Sequence, residues 1–99
     1  MPSVADLVEV ELRVRAGEYL VRAGDALRAD GHVELSVFEA LRVTATVTDD
    51  GVRHVTELTT TGGALAVRCD CPGGRDGDWC PHSVATAIEA WEQAPTRRG

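Results

Sequence analysis

The sequence predicts a small α+β domain: an amino-terminal helix, an antiparallel sheet of about four strands, a cysteine-rich knuckle and a closing helix. Three observations predict it. Acid-before-base pairs recur at helical spacing through the first thirty residues, four short β-rich runs come next, and an apolar stripe at i, i+4 and i+7 begins directly after the last cysteine. With 99 residues, 43% hydrophobic and 26% charged, the chain has the composition of a globular protein, and one domain over 1–99 is expected. Only 4% of the residues are aromatic, so the core will be thin.

The first element has two readings. Val8, Val10, Leu12 and Val14 alternate with charged residues as in a half-buried strand. Glu9–Arg13, Glu11–Arg15 and Glu18–Arg22, however, are i,i+4 pairs in the orientation that supports a helix. Ser3 is a candidate cap with Asp6 at the third helical position, and Val8, Leu12, Ala16, Tyr19, Ala23 and Leu27 form one stripe. The helix reading over 3–30 is adopted. Gly17 and Gly24 weaken it, and Gly31 is where it should stop.

From His32 the texture changes to "HVELSVF", "LRVTATVT", "RHVTELTT" and "ALAVRC", four strands of a meander. Asp50-Gly51 separates the second from the third and Gly62-Gly63 the third from the fourth, both dipeptides suited to hairpin turns. In "CPHSVATAIEAWEQAP", Pro81 suits the first turn of a helix and Val84, Ile88 and Trp91 its buried stripe, expected to pack on the sheet. Pro95 ends it before a basic tail, Arg97-Arg98, expected to fray.

Every cysteine lies in "RCDCPGGRDGDWCPH", residues 68–82. A disulfide framework fits poorly, because the count of three is odd. Cys69-x-Cys71, eight residues, then Cys80-x-His82 instead supply three thiolates and an imidazole, a full tetrahedral set for one Zn2+, and the glycines between them let the chain fold back. A closed set of four leaves no position for a reactive water, so such an ion would be structural. In zinc-finger peptides metal binding supplies on the order of 10–16 kcal/mol, more than a domain of this size retains as net stability. A thiol redox centre is the chemical alternative.

The pattern C-x-C-x(n)-C-x-H, preceded by a β-hairpin and continued at once by "CPHSVATAIEAW", resembles the SWIM zinc finger. Upstream, "RAGEYLVRAG" and "RVTATV" look like the segments preceding the finger in bacterial members associated with Swi/Snf-type ATPases. The resemblance divides the chain into an N-terminal helix with the first strands (1–51), the finger (52–92) and a flexible tail (93–99). It implies zinc ligation by Cys69, Cys71, Cys80 and His82 in a ββα arrangement, and a role in DNA binding or protein interaction. No ATPase or transposase motif accompanies the finger in this chain.

Other features read more plainly. His32 and His54 are ordinary strand-edge residues; Trp79 shields the metal site or packs in the core, and Trp91 is core. Asp76-Gly77-Asp78 lacks the oxygens and the terminal acid of a calcium loop and is read as a solvated turn. Arg13, Arg15 and Arg22 are taken up by their helical glutamates. With no Gly-rich phosphate loop and no serine–histidine context, an enzyme is not expected.

Sixteen acidic against ten basic residues leave a net charge of −6, which opposes general attraction to nucleic acid and favours another protein as partner, an ATPase-containing complex among the candidates. DNA binding is the alternative and a redox sensor the second alternative. The opening residues lack a secretion signal and no run is apolar enough for a membrane, so a cytoplasmic location is expected.

Overall fold

The computed structural model of the chain describes residues 4–75 and 77–94. The expected α+β architecture is present: helical residues first, then a four-stranded antiparallel sheet in the order β1-β2-β3-β4, then a final helix. The strands are β1 (Val33–Phe38), β2 (Arg42–Asp49), β3 (Val52–Thr61) and β4 (Ala64–Cys69).

Turn chemistry sets the register. Asp50 and Gly51 both take positive φ, 54° and 79°, as do Gly62 and Gly63, 60° and 82°. Two successive positive-φ residues match the right-handed twist of the flanking strands, which holds each hairpin to a two-residue loop. Asp49 thus pairs with Val52 and Thr61 with Ala64. One sheet face is apolar: Val43, Ala45, Val47, Leu58, Leu65 and Val67 are buried, while their neighbours in sequence turn outward. A bulge between Leu35 and Val37 shifts β1 against β2.

The amino-terminal segment is helical, as expected, but it is not one continuous helix. It comprises α1 (Val4–Glu11), a π-helical turn (Leu12–Ala16) and α2 (Glu18–Ala29), with a corner at Gly17, whose φ of 86° and ψ of 161° lie outside the helical region. The corner changes the helical phase of α2 relative to α1. Tyr19, expected on the buried stripe, is 83% exposed, and the contact face of α2 runs instead through Leu20, Val21 and Gly24. The Glu18–Arg22 pair forms at 2.6 Å on the solvent side. Ser3 and Pro95 lie outside the described residues, as do Asp76, Arg97 and Arg98 and the side chains of Asp6, Glu9, Arg13 and Arg15. Gly31 ends α2 as predicted: at φ 77° it lets His32 N–H donate to Leu27 O and its own N–H to Arg28 O, a Schellman closure.

The last helix, α3 (Pro81–Gln93), was expected to bury one side on the sheet; it is enclosed on more than one. Val84, Ala85, Thr86, Ala87 and Ala90 are all fully buried, because α3 lies between the sheet and α2. Gly24 permits the helix–helix approach: a Cβ there would stand 2.4 Å from Val84 Cγ1 and 2.8 Å from the Ala85 nitrogen. On the sheet side the buried hydroxyls of Thr56 and Thr86 hydrogen-bond to each other. Val4, Val8, Val43, Leu58, Val84 and Trp79 join in one core, each large side chain contributing about 1.5–3 kcal/mol of transfer free energy. Trp91 is partly buried against it.

Candidate metal centre

Three elements converge on the cysteine cluster. Cys69 is the last residue of β4, opposite Thr56 of β3; Cys71 opens the knuckle; Cys80 and His82 sit at the start of α3. All four side chains are buried, and their candidate ligand atoms lie within 4.8 Å of one another. His82 Nδ1 is 3.7 Å from Cys69 Sγ and 3.8 Å from Cys80 Sγ. The three cysteines are free thiols, without a disulfide. The four residues singled out by spacing are therefore one cluster in space, able to hold a metal ion.

The knuckle closes around small residues. Cys69 N–H donates to Gly74 O and Gly74 N–H to Cys71 O, both at 3.2 Å. A Cβ on Gly74 would lie 2.6 Å from Cys69 Cβ and 3.1 Å from Cys80 Sγ, so the fold-back requires glycine. Trp79 is 8% exposed and part of the main core, as expected. Its Nε1 has no hydrogen-bond partner among the described residues.

The α3 terminus prepares one sulfur for the thiolate form. Cys80 is the N-cap: its Sγ accepts from Ser83 N–H at 3.5 Å, and Ser83 Oγ accepts from Cys80 N–H at 2.9 Å, a capping box with sulfur in the usual oxygen's place. Before any ion enters, the thiol of Cys69 donating to Cys80 holds Cys80 well below its ordinary range, with Ser83 assisting, and the same bond with burial pushes Cys69 up. The partial positive charge at the helix start acts in the same direction on Cys80.

Two residues were not recognised from the sequence as parts of this site. Asp49, at the end of β2, places Oδ2 2.8 Å from His82 Nε2. The Nε2 proton then points at the carboxylate and Nδ1 presents its lone pair to the sulfurs, the usual way a protein orients a ligating imidazole. His54, read as an ordinary strand-edge residue, instead stacks on His82 with ring centroids 4.1 Å apart and planes 17° from parallel. Its Nδ1 lies 3.2 Å from Asp70 Oδ1. The only signal in the sequence was indirect: Asp49 and His54 flank the Asp50-Gly51 turn, and strand parity puts His54 on the buried face opposite Val47. His32 stands elsewhere, its carbonyl accepting from Thr48 N–H.

No family model, no curated protein and no solved structure matches this chain. The functional reading therefore rests on the cluster itself. Among the described residues, no helix is long and apolar enough to cross a membrane.

Proposed function

We propose that the chain is a zinc-binding finger of the SWIM kind, in which one structural Zn2+ holds a protein-interaction surface in shape. The observation that carries this reading is the fit of the donors. A tetrahedral ion with bonds of about 2.3 Å to sulfur and about 2.0–2.1 Å to nitrogen sets sulfur–nitrogen separations near ~3.6 Å. His82 Nδ1 stands 3.7 and 3.8 Å from two of the sulfurs. Three soft thiolates and an imidazole are the donor set that selects zinc over harder cations, and all four are withdrawn from solvent. Bound there, zinc supplies a cross-link and no reactive water.

The chain's own residues do the rest. Cys69 and Cys71 anchor the end of β4, Cys80 and His82 anchor α3, and Asp49 ties the β2–β3 turn to the imidazole. Removing the clamp would loosen the start of α3, the helix that contributes Val84, Ala87 and Ala90 to the core. Net charge supports a protein partner over nucleic acid: three thiolates take −6 to −9 and Zn2+ returns it to −7, unfavourable for a polyphosphate at long range. We place no catalytic step in the site.

Native mass spectrometry tests the reading directly. One zinc per chain is expected, lost in both Cys71→Ser and His82→Ala together with the near-UV signal of packed Trp79. A wild-type chain that folds cooperatively with no metal after exposure to Zn2+ would overturn it.

A further inference from the structure

We propose that the cysteine cluster is also a peroxide-sensitive switch, in which Cys69 and Cys80 close a disulfide, give up the metal and release the knuckle; this rests on the zinc reading above. Contact singles out the pair. Before any ion enters, the thiol of Cys69 hydrogen-bonds to Cys80, and His82 Nδ1 lies almost equally far from the two sulfurs, 3.7 and 3.8 Å. Gly74 borders the space they share: a Cβ there would meet Cys69 Cβ at 2.6 Å and Cys80 Sγ at 3.1 Å. The pair comes from different elements, the end of β4 and the start of α3, so a bond between them repeats the tie that the metal makes. Cys71 lies in the knuckle between them.

Charge supplies the reactivity. Three thiolates against one Zn2+ leave one negative charge uncompensated. Two carboxylates stand beside the ligands, Asp49 on His82 Nε2 at 2.8 Å and Asp70 on His54 Nδ1 at 3.2 Å. Electron-rich thiolates are what a small electrophilic oxidant attacks. Burial selects the oxidant: the three cysteines are between 1% and 6% exposed, which shuts out a bulky reagent such as glutathione disulfide, whereas hydrogen peroxide is little larger than water.

The step balances with peroxide alone. One thiolate of the pair attacks an oxygen of hydrogen peroxide, the O–O bond breaks, and a sulfenic acid forms as hydroxide leaves. The other thiolate attacks that sulfur and displaces a second hydroxide. Two thiolates have lost two electrons to one peroxide, giving one disulfide and two hydroxide ions. Cys71 and His82 are then the only donors left of a set of four, too few to hold zinc. The disulfide keeps α3 tied to β4, while Cys71 loses its anchor and the knuckle opens.

The test uses the zinc-loaded full chain with excess hydrogen peroxide, a chromogenic chelator and, in parallel, glutathione disulfide of equal oxidising capacity. Peroxide is expected to release the zinc, to lower the intact mass by two hydrogens, and to leave Cys71 as the thiol that iodoacetamide labels. Dithiothreitol with Zn2+ should restore the starting form. Trypsin should cut faster after Arg75, an exposed knuckle residue, while far-UV circular dichroism holds. Glutathione disulfide should release far less metal. Zinc retained while free glutathione in the same tube is oxidised by the peroxide, label on Cys69 or Cys80, a gain of oxygen in place of the disulfide, or an unchanged rate of cleavage at Arg75 overturns this proposal alone. A chain that holds no zinc before peroxide is added overturns the reading beneath it.

Discussion

Asp49→Ala removes the carboxylate that accepts from His82 Nε2 at 2.8 Å, and it does so without touching any of the four candidate ligands. The size of the effect comes from the geometry. A hydrogen bond to a charged group contributes about 1.5–3 kcal/mol net, and the Asp49 side chain is 43% exposed, so water takes over part of its role and the lower end applies. About 1.5 kcal/mol is roughly a tenfold loss of zinc affinity, at the low edge of the 10- to 100-fold range usual for such outer carboxylates. Asp49→Asn keeps a neutral acceptor and should lose about threefold, since an uncharged partner makes a bond roughly half as strong. Competition against a chromophoric chelator gives the affinities, and Co2+ substitution shows through its ligand-field bands whether the site stays tetrahedral. Unchanged affinity in Asp49→Ala, measured where His82→Ala abolishes binding, would refute the argument that the β2–β3 turn orients the imidazole.

Other contacts carry further expected outcomes. His54→Ala removes the ring stacked 4.1 Å from His82 and should lower the melting temperature of the zinc-loaded chain by a few degrees, corresponding to about 0.5–1.5 kcal/mol; no shift would mean the stack is incidental. Gly24→Ala should destabilise by about 1–3 kcal/mol in denaturant titration despite its better helix propensity, because the new methyl would meet Val84 at 2.4 Å. A more stable Gly24→Ala would show that α2 and α3 leave room for a methyl between them. Gly74→Ala should weaken metal binding more than it weakens the rest of the fold, since its Cβ would press on Cys69 and Cys80, and chelator competition beside far-UV circular dichroism separates the two. Acidification should release the metal. In the metal-free chain Cys80 is lowered from its ordinary value of 9.0 by the Cys69 and Ser83 hydrogen bonds, so the stability it contributes to that form is present above that value and is lost as pH falls through the folded-state value of about 4. Zinc requires the other thiols as anions as well, which adds a contribution of the same sign. Zinc retention that improves toward acid would contradict this.

Much of the fold was legible because its signals are local. The two positive-φ turns, the alternation along β2 to β4 and the glycine closing α2 each depend on a few adjacent residues. The break at Gly17 was less so. A glycine within a helical pattern is often tolerated, and only the packing of α2 along α3 requires the corner that turns Tyr19 into solvent. Of the site, the four-residue cluster was visible because its spacing is a short-range property. Asp49 and His54 were not, since they reach His82 only across the sheet, 33 and 28 positions away in the chain.

By itself the sequence determined the element types, the hairpin registers and the identity of the three thiols and imidazole, since dihedral preference, side-chain parity and donor chemistry belong to individual residues and their immediate neighbours. Only the tertiary structure decided that the sulfurs and Nδ1 share one buried space, that a carboxylate from a distant turn orients the ring, and that Arg22 and Arg28 on α2 are paired with acids. Those relations depend on how α3 is seated between the sheet and α2. That seating is set by the summed burial of many small side chains against a glycine at their closest approach, a property no local pattern encodes.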